Sequence, residues 1–390
     1  MKTAKKSWKA LLSAGVLGLV LAVLLGLFTA AHSGKTSPEV QPEEYMEYEQ
    51  AVVDQILTDS TEADPVSEDH YRGSQSLIVT VRTGQYAGKQ FLADNTVGPM
   101  YGNPVQVGQK LVAGLSTYTD GTVRCYVYEA DRSTGLLLML GLFFLVTVLV
   151  GGKVGAKSLV GLILTVVALI WILLPLLLQG WPTIPTTFLV AVLVSVASFV
   201  ILGGVEQKTV CACLGTLAGI ALAAVFAMGA QKILAVDGYR QEYAEALLQL
   251  RQTGESGIGI SGLLSAGVII SALGAVMDVA MSISSAVQEL KRVNPELTAP
   301  ALLKSGMNIG RDMVGTMTNT LILAILGSGL TMIVYIYSLG LQPRQLLSSA
   351  FMSLEAVSAI SSSIGVMLAV PLTAAICALV YGKGRITSVK

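Results

Sequence analysis

The chain has 390 residues, 53% of them hydrophobic and only 13% charged, with 25 Lys and Arg balanced by 25 Asp and Glu. Soluble domains carry about a quarter charged residues, so this balance excludes an ordinary soluble protein, and the lack of a basic, aromatic-interleaved stripe excludes a nucleic-acid binder. Four cysteines and two histidines, none in metal-ligand or triad spacing, provide no disulfide framework, zinc site or Ser-His-Asp triad, and no cofactor is expected.

Lys2, Lys5, Lys6 and Lys9 precede an apolar run from Ala10 to Ala31. About 20 apolar residues cross a bilayer, whereas a signal peptide has an apolar core of about 7–15. Residues 1–34 are therefore expected as an uncleaved transmembrane anchor, with Thr29 and Ala31 keeping the signal-peptide alternative open. Residues 35–74 have no Lys or Arg between Lys35 and Arg72 but collect eleven carboxylates, from Glu39 to Asp69. They read as an acidic extracytoplasmic linker with one short helix near Tyr45–Leu57.

From Gln75 the apolar period becomes two. The runs SLIVTVRTG, GKQFLADN, NPVQVGQKLVAGL and GTVRCYVYEA, punctuated by Gly84, Gly88, Gly102, Gly108 and Gly121, predict short strands. A small β-barrel of the OB or SH3 type is expected over 75–132. Such a fold gives no function by itself, and a structural or docking module is the reading.

Residues 133–390 read as a seven-helix membrane domain, with helices near 134–151, 158–178, 186–203, 209–231, 258–287, 310–338 and 347–381. The fold class is thus an α-helical polytopic membrane protein of about eight transmembrane helices, carrying a small extracytoplasmic β-barrel (OB/SH3-like) domain. Lys153, Lys157, Lys208, Lys291, Arg292, Lys304, Lys383, Arg385 and Lys390 fall in alternate loops and the tail, while the short opposing loops hold only Arg344. The positive-inside rule then puts both termini in the cytoplasm and 35–132 outside. The 232–256 loop is also outside, lying on the membrane surface or forming a helical cap, since Tyr243, Leu247 and Leu250 share a face. Pro175, Pro371 and the stretches Gly257–Gly262 and Gly327–Gly329 are candidate helix breaks.

Polar residues interrupt three of these helices. Gly267, Ser271, Gly274, Asp278, Ser282, Ser285 and Glu289 recur every three or four residues and form one helical face. Asn308, Asp312, Gly315 and Asn319 repeat the spacing, with Arg311 and Thr316 beside them; Glu355, Ser358, Ser362 and Gly365 make a third face. Ionisable groups at membrane depth usually face a bundle interior or an aqueous path. One shared polar interior is therefore expected, with tight helix seams as the structural alternative. Arg311 is a natural partner for Asp278 or Asp312; the alternative is that Arg311 and Asp312 simply mark the cytoplasmic boundary, where arginine can snorkel.

The runs GAVMDVAMSISSAVQEL (Gly274–Leu290) and GRDMVGTMTNTLILAILG (Gly310–Gly327) resemble the YibE/F family of bacterial polytopic membrane proteins, and the resemblance extends from about Gln75 to the end. It implies a multi-pass protein of the bacterial cell membrane and points to Asp278, Asp312, Thr316 and Asn319, but it brings no activity.

The expected function is a secondary transporter or permease for a small solute or ion. Its path residues are Asp278, Ser271, Ser282, Asn308, Arg311, Asp312, Thr316, Asn319 and Glu355. The alternative is a non-transporting scaffold or sensor whose barrel binds an envelope partner. An intramembrane aspartyl protease using Asp278 and Asp312 is disfavoured without a GxGD motif, so no catalytic residue is assigned. Expected partners are the lipid bilayer, a small solute or ion, and a homologous membrane subunit or a second copy of the chain.

Overall fold

The computed structural model describes residues 2–33, 44–118, 121–241, 243–254 and 256–382. Lys35, Glu39 and Glu43, and the tail residues Lys383, Arg385 and Lys390, lie outside them. The chain forms two compact units, Glu39–Thr147 and Met1–Pro38 with Val148–Lys390.

The first unit is a closed five-strand barrel. Its strands are β1 (Glu44–Asp59), β3 (Tyr71–Val81), β4 (Gln90–Val97), β5 (Lys110–Tyr118) and β6 (Val123–Ala130), with the two-residue β2 (Glu62–Ala63) paired antiparallel beside the first residues of β3. Going round the barrel, β1 pairs with β3, β3 with β4, β4 with β6 in parallel, β6 with β5, and β5 with β1. β1 can serve both its neighbours because register shifts at Val53/Gln55 and Ile56/Thr58 bend it. Ala51, Val53, Leu77, Val79, Val81, Ala93, Leu111, Ala113, Leu115 and Cys125 fill the interior. Burial pushes the Cys125 thiol up to about 12, which leaves it protonated and unreactive.

The barrel therefore begins at Glu44, not at Gln75. The helix expected near Tyr45–Leu57 is a strand, and most of the expected linker belongs to the barrel. Its carboxylates are bound rather than merely solvated. Glu47 accepts a hydrogen bond from Gln85 at 2.8 Å, Glu49 accepts one from Thr83, and Asp54 accepts from Thr80 and Gln90. Inside, Gln75 is the knot: its Oε1 accepts from Asn95 Nδ2 and the Val105 N–H, both at 2.9 Å, and its Nε2 donates to Asp59 and the Val105 carbonyl. Four bonds on one buried amide tie the 98–109 loop to the barrel end.

The second unit is helical: α1 (Lys2–Ser33), α2 (Ser133–Ala168, whose first residues belong to the barrel unit), α3 (Leu174–Leu178), α4 (Thr183–Gly203), α5 (Gln207–Leu234), α6 (Ala244–Gln252), α7 (Leu263–Val293), α8 (Ala299–Ser328), α9 (Leu330–Ser338), α10 (Pro343–Leu347) and α11 (Ala350–Gly382). Among the described residues six helices are long and apolar enough to cross a membrane, or seven if α8 and α9, bent by 63°, count as one span. The count differs from eight because 133–178 is one helical run. Gly152 interrupts it with φ 56 and ψ −135, a left-handed conformation that glycine alone adopts cheaply. The run widens to a π turn at Leu169–Leu173 just ahead of Pro175. At Pro371, by contrast, α11 stays continuous.

Two large apolar clusters hold this unit, beside a small third one of Phe199, Ala212 and Ala280. One gathers α1, the end of the 133–178 run, α4 and α6, with Val20, Leu24, Leu176, Val190, Val194 and Ala244 among its buried members. Gln179 donates to the Ala31 carbonyl at 2.5 Å, so α1 is built into the unit. The 235–262 segment closes over this cluster as a cap: Gly257 N–H and Ser256 Oγ both donate to the Leu178 carbonyl, and Thr183 Oγ1 donates to the Gly259 carbonyl. The other large cluster packs α5, α7, α8 and α11. Antiparallel α5 and α11 approach backbone to backbone, since a Cβ on Gly219 would lie 2.9 Å from Ala369 Cβ and one on Gly365 would lie 2.7 Å from Ala223 Cβ.

Three outcomes follow. Gln75→Leu leaves the Val105 N–H and carbonyl buried without partners and takes from the Asn95 amide one of its two bonds, the other going to the Asn103 carbonyl, and is expected to lower barrel stability by about 2–4 kcal/mol in denaturant unfolding. The Thr61 hydroxyl and N–H, with Gln75, hold the Asp59 carboxyl below its usual 3.8. That contribution is present above the unfolded value and lost as pH falls through the lower folded one. Near-UV circular dichroism of the barrel tyrosines should therefore show melting that worsens below pH 3.8, less steeply in Asp59→Asn. Finally, Gly365→Ala is expected to cost about 1–3 kcal/mol in thermal unfolding, whereas Gly229→Ala, where a Cβ meets nothing within 4 Å, is tolerated.

Candidate functional site

α7 has two sharply different faces. Val268, Ala272, Val276, Val279, Ile283 and Val287 recur at helical spacing and are buried in the α5–α8–α11 cluster. Gly267, Gly274, Asp278, Ser282 and Glu289 lie on the opposite side and are exposed. Asp278 stands midway along α7, about 22 Å from either end at 1.5 Å per residue. α8 repeats the design. Leu302, Gly306 and Gly310 are buried, with Met313, Met317 and Leu321 continuing the packed side. Asn308, Arg311, Asp312, Gly315, Thr316 and Asn319 are exposed on the reverse. Among these, Thr316 Oγ1 donates within its own helix, to the Met313 carbonyl at 3.1 Å.

The two helices run antiparallel across the 294–298 turn, and glycine contacts fix their register. A Cβ on Gly306 would meet Val287 at 3.3 Å, and one on Gly310 would meet Ile283 at 3.2 Å. One further turn in this register puts Asp278 level with Gly315 and Ser282 level with Arg311. Arg311 and Asp312 are thus not at the start of their helix. α8 begins at Ala299 rather than near 310, so they lie about 18–20 Å along it, close to the height of Asp278. The polar start of α8, from Lys304 to Asn308, had hidden its extent.

The expected shared interior is not what the structure assembles. Of the nine residues singled out, only Ser271 reaches the interior in a polar contact, a 2.7 Å hydrogen bond with the fully buried Ser362 of α11. Asp278, Ser282, Asn308, Arg311, Asp312, Thr316 and Asn319 face away from the bundle on neighbouring helices. Glu355 is half-buried near the start of α11. The Ser271–Ser362 and Ser284–Cys377 contacts make α11 parallel to α7, so Glu355 is level with the first turn of α7, about 22 Å along the helix from Asp278. Among the described residues Asp278, Arg311 and Asp312 make no ion pair.

Inside the bundle runs a second, neutral polar line that the sequence reading did not assemble. Thr373, Cys377 and Tyr381 follow one another every fourth residue on α11, with Cys211 of α5 and Ser284 of α7 beside Cys377. Cys377 donates to Ser284 Oγ at 3.5 Å. The i, i+4 spacing was its only signal. Thr373 sits directly on Gly215, so the line is packed solid and acts as a seam. Among the described residues no group of three or more His, Cys, Asp or Glu side chains is placed to hold a metal ion.

No curated protein and no solved structure matches the chain. Residues 139–383 match the family of YibE/F-like proteins. The match begins within α2, so the barrel from Gln75 lies outside it, and both motif runs, with all nine candidate residues, lie inside. It covers well over half of the sequence, and the chain belongs to the YibE/F-like family.

Proposed function

We propose that this protein is a multi-pass bacterial cell-membrane transporter or permease for a small solute or ion, with the polar faces of α7 and α8 around Asp278 as one wall of its path. One observation carries the reading: a carboxylate halfway along a 31-residue apolar helix stands opposite the packed face, with no ion pair among the described residues. A charge at the bilayer centre costs about 2.5–3.5 kcal/mol on insertion scales, and such groups mark ion and substrate paths. Asn308, Thr316 and Asn319 supply neutral ligands over the same height, and Arg311 a counter-charge. Counted as two spans broken at Gly152, the 133–178 run restores an even number of crossings, and loop charge then favours both termini in the cytoplasm and the barrel outside.

The barrel favours a second reading, a scaffold or sensor without transport. Its strand order is that of OB barrels, whose outer faces and loops bind ligands. Tyr48 and Tyr128 are 51% and 56% exposed and meet edge-to-face at 4.8 Å, beside Met46 and the Tyr126 ring that covers Gly114. An exposed aromatic patch of this kind suits a protein or envelope partner.

Reconstitution separates the two. In liposomes under imposed ion gradients, followed with pH-sensitive and metal-sensitive dyes, wild type is expected to show flux that falls to background in a monodisperse Asp278→Asn protein. Absence of flux from both folded proteins across a broad ion panel would remove the transport reading and leave the scaffold.

A further inference from the structure

Among the described residues nothing covers the outward sides of α7 and α8. Their polar groups lie on the far side of both helices from the cluster they pack into. This face is also open to close approach. At Gly267, Gly274 and Gly315 a Cβ would meet nothing within 4 Å, whereas at Gly306 and Gly310 on the packed side it would strike neighbouring side chains. Small residues on a membrane helix let another helix come close. We propose that a second copy of this chain covers this face, the two related by a two-fold axis along the membrane normal, with Asp278 of each copy against Arg311 of the other. The inference rests on the membrane placement of α7 and α8 proposed above, and not on transport.

Charge complementarity selects the occupant. Lipid supplies no partner for Asp278, Arg311, Asn308 or Asn319. A different subunit would need its own matching charges, whereas this face already carries both halves of the pair. Both copies insert with the same orientation, so a two-fold axis along the normal brings equal heights together. Asp278 and Arg311 differ in height by only about 4–6 Å in the α7–α8 register, less than the length of an arginine side chain. An isologous contact therefore forms the ion pair twice, and the Asn308 and Asn319 amides lie near their own equivalents.

The test uses the full chain in membranes. Gly274→Cys and Gly315→Cys are oxidised with copper phenanthroline beside Val225→Cys, an exposed position on α5, and wild type, whose own four cysteines are buried or half-buried. A disulfide-linked dimer is expected at 274 or 315 and not in the two controls. In a second arm, two differently tagged chains are co-expressed. Asp278→Arg alone and Arg311→Asp alone place like charges across the axis, so each is expected to lose self-association. Together they restore both pairs and should co-purify, as should the doubly inverted chain with itself. A monodisperse wild type with the mass of one chain in nanodiscs, or no cross-link at either glycine position, overturns the proposal. Should an inverted variant fail to fold, the cysteine arm decides alone. Dimer without flux would leave this inference standing and remove transport; Asp278-dependent flux from a single chain would do the reverse.

Discussion

A carboxylate halfway along an apolar helix constrains everything around it. Left against hydrocarbon, Asp278 would cost about 2.5–3.5 kcal/mol, a large part of the 5–15 kcal/mol by which a folded protein is stable. The chain places Asp278 on the side of α7 that its own bundle leaves uncovered. It then puts Arg311 and Asp312 at neighbouring heights on the next helix, each exposed on the side away from the packed residues of α8. The arrangement makes sense as a wall awaiting something polar, whether solute, ion or a second copy.

The rest of the bundle keeps that wall rigid. α5 and α11 meet through Gly215, Gly219 and Gly365 with no room for a further methyl group. The Thr373–Cys377–Tyr381 line and the Ser271–Ser362 bond lock α11 to α5 and α7. Gly306 and Gly310 then seat α8 against Val287 and Ile283. Ser271 apart, which shares a stripe with Asp278, the close contacts of α7 and α8 lie on the sides away from the charges. Rigid packing on one side and open glycines on the other is the pattern expected where a fixed surface presents itself to a partner.

Much of this was legible in the sequence, and what was not had physical reasons. The apolar runs at 186–203, 209–231 and 258–287 carried α4, α5 and α7 because nothing charged interrupts their packed faces. Period three-to-four grouped Asp278 with Ser282 and Asn308 with Asn319 correctly. Periodicity says which residues share a face, though, and not whether that face looks inward, so the polar faces read as an interior. β1 was lost because Glu47, Glu49 and Asp54 dominate it; their partners Gln85, Thr83 and Thr80 lie some 26–38 residues away, and only the closed barrel brings them together. The loop expected between helices at 134–151 and 158–178 rested on Lys153 and Lys157, whereas the structure carries the helix through both lysines and confines the break to the backbone of Gly152.

The most direct measurement is the lipid exposure of the polar face in a bilayer. A nitroxide on Ser282→Cys and another on Val225→Cys occupy positions that are both exposed in a single chain. The account predicts that the label at 282 collides with membrane-dissolved oxygen far less often than the label at 225, because polar groups or protein cover the first and acyl chains the second. Equal, high oxygen accessibility at both positions would mean that the α7–α8 face lies open to lipid, and would contradict it.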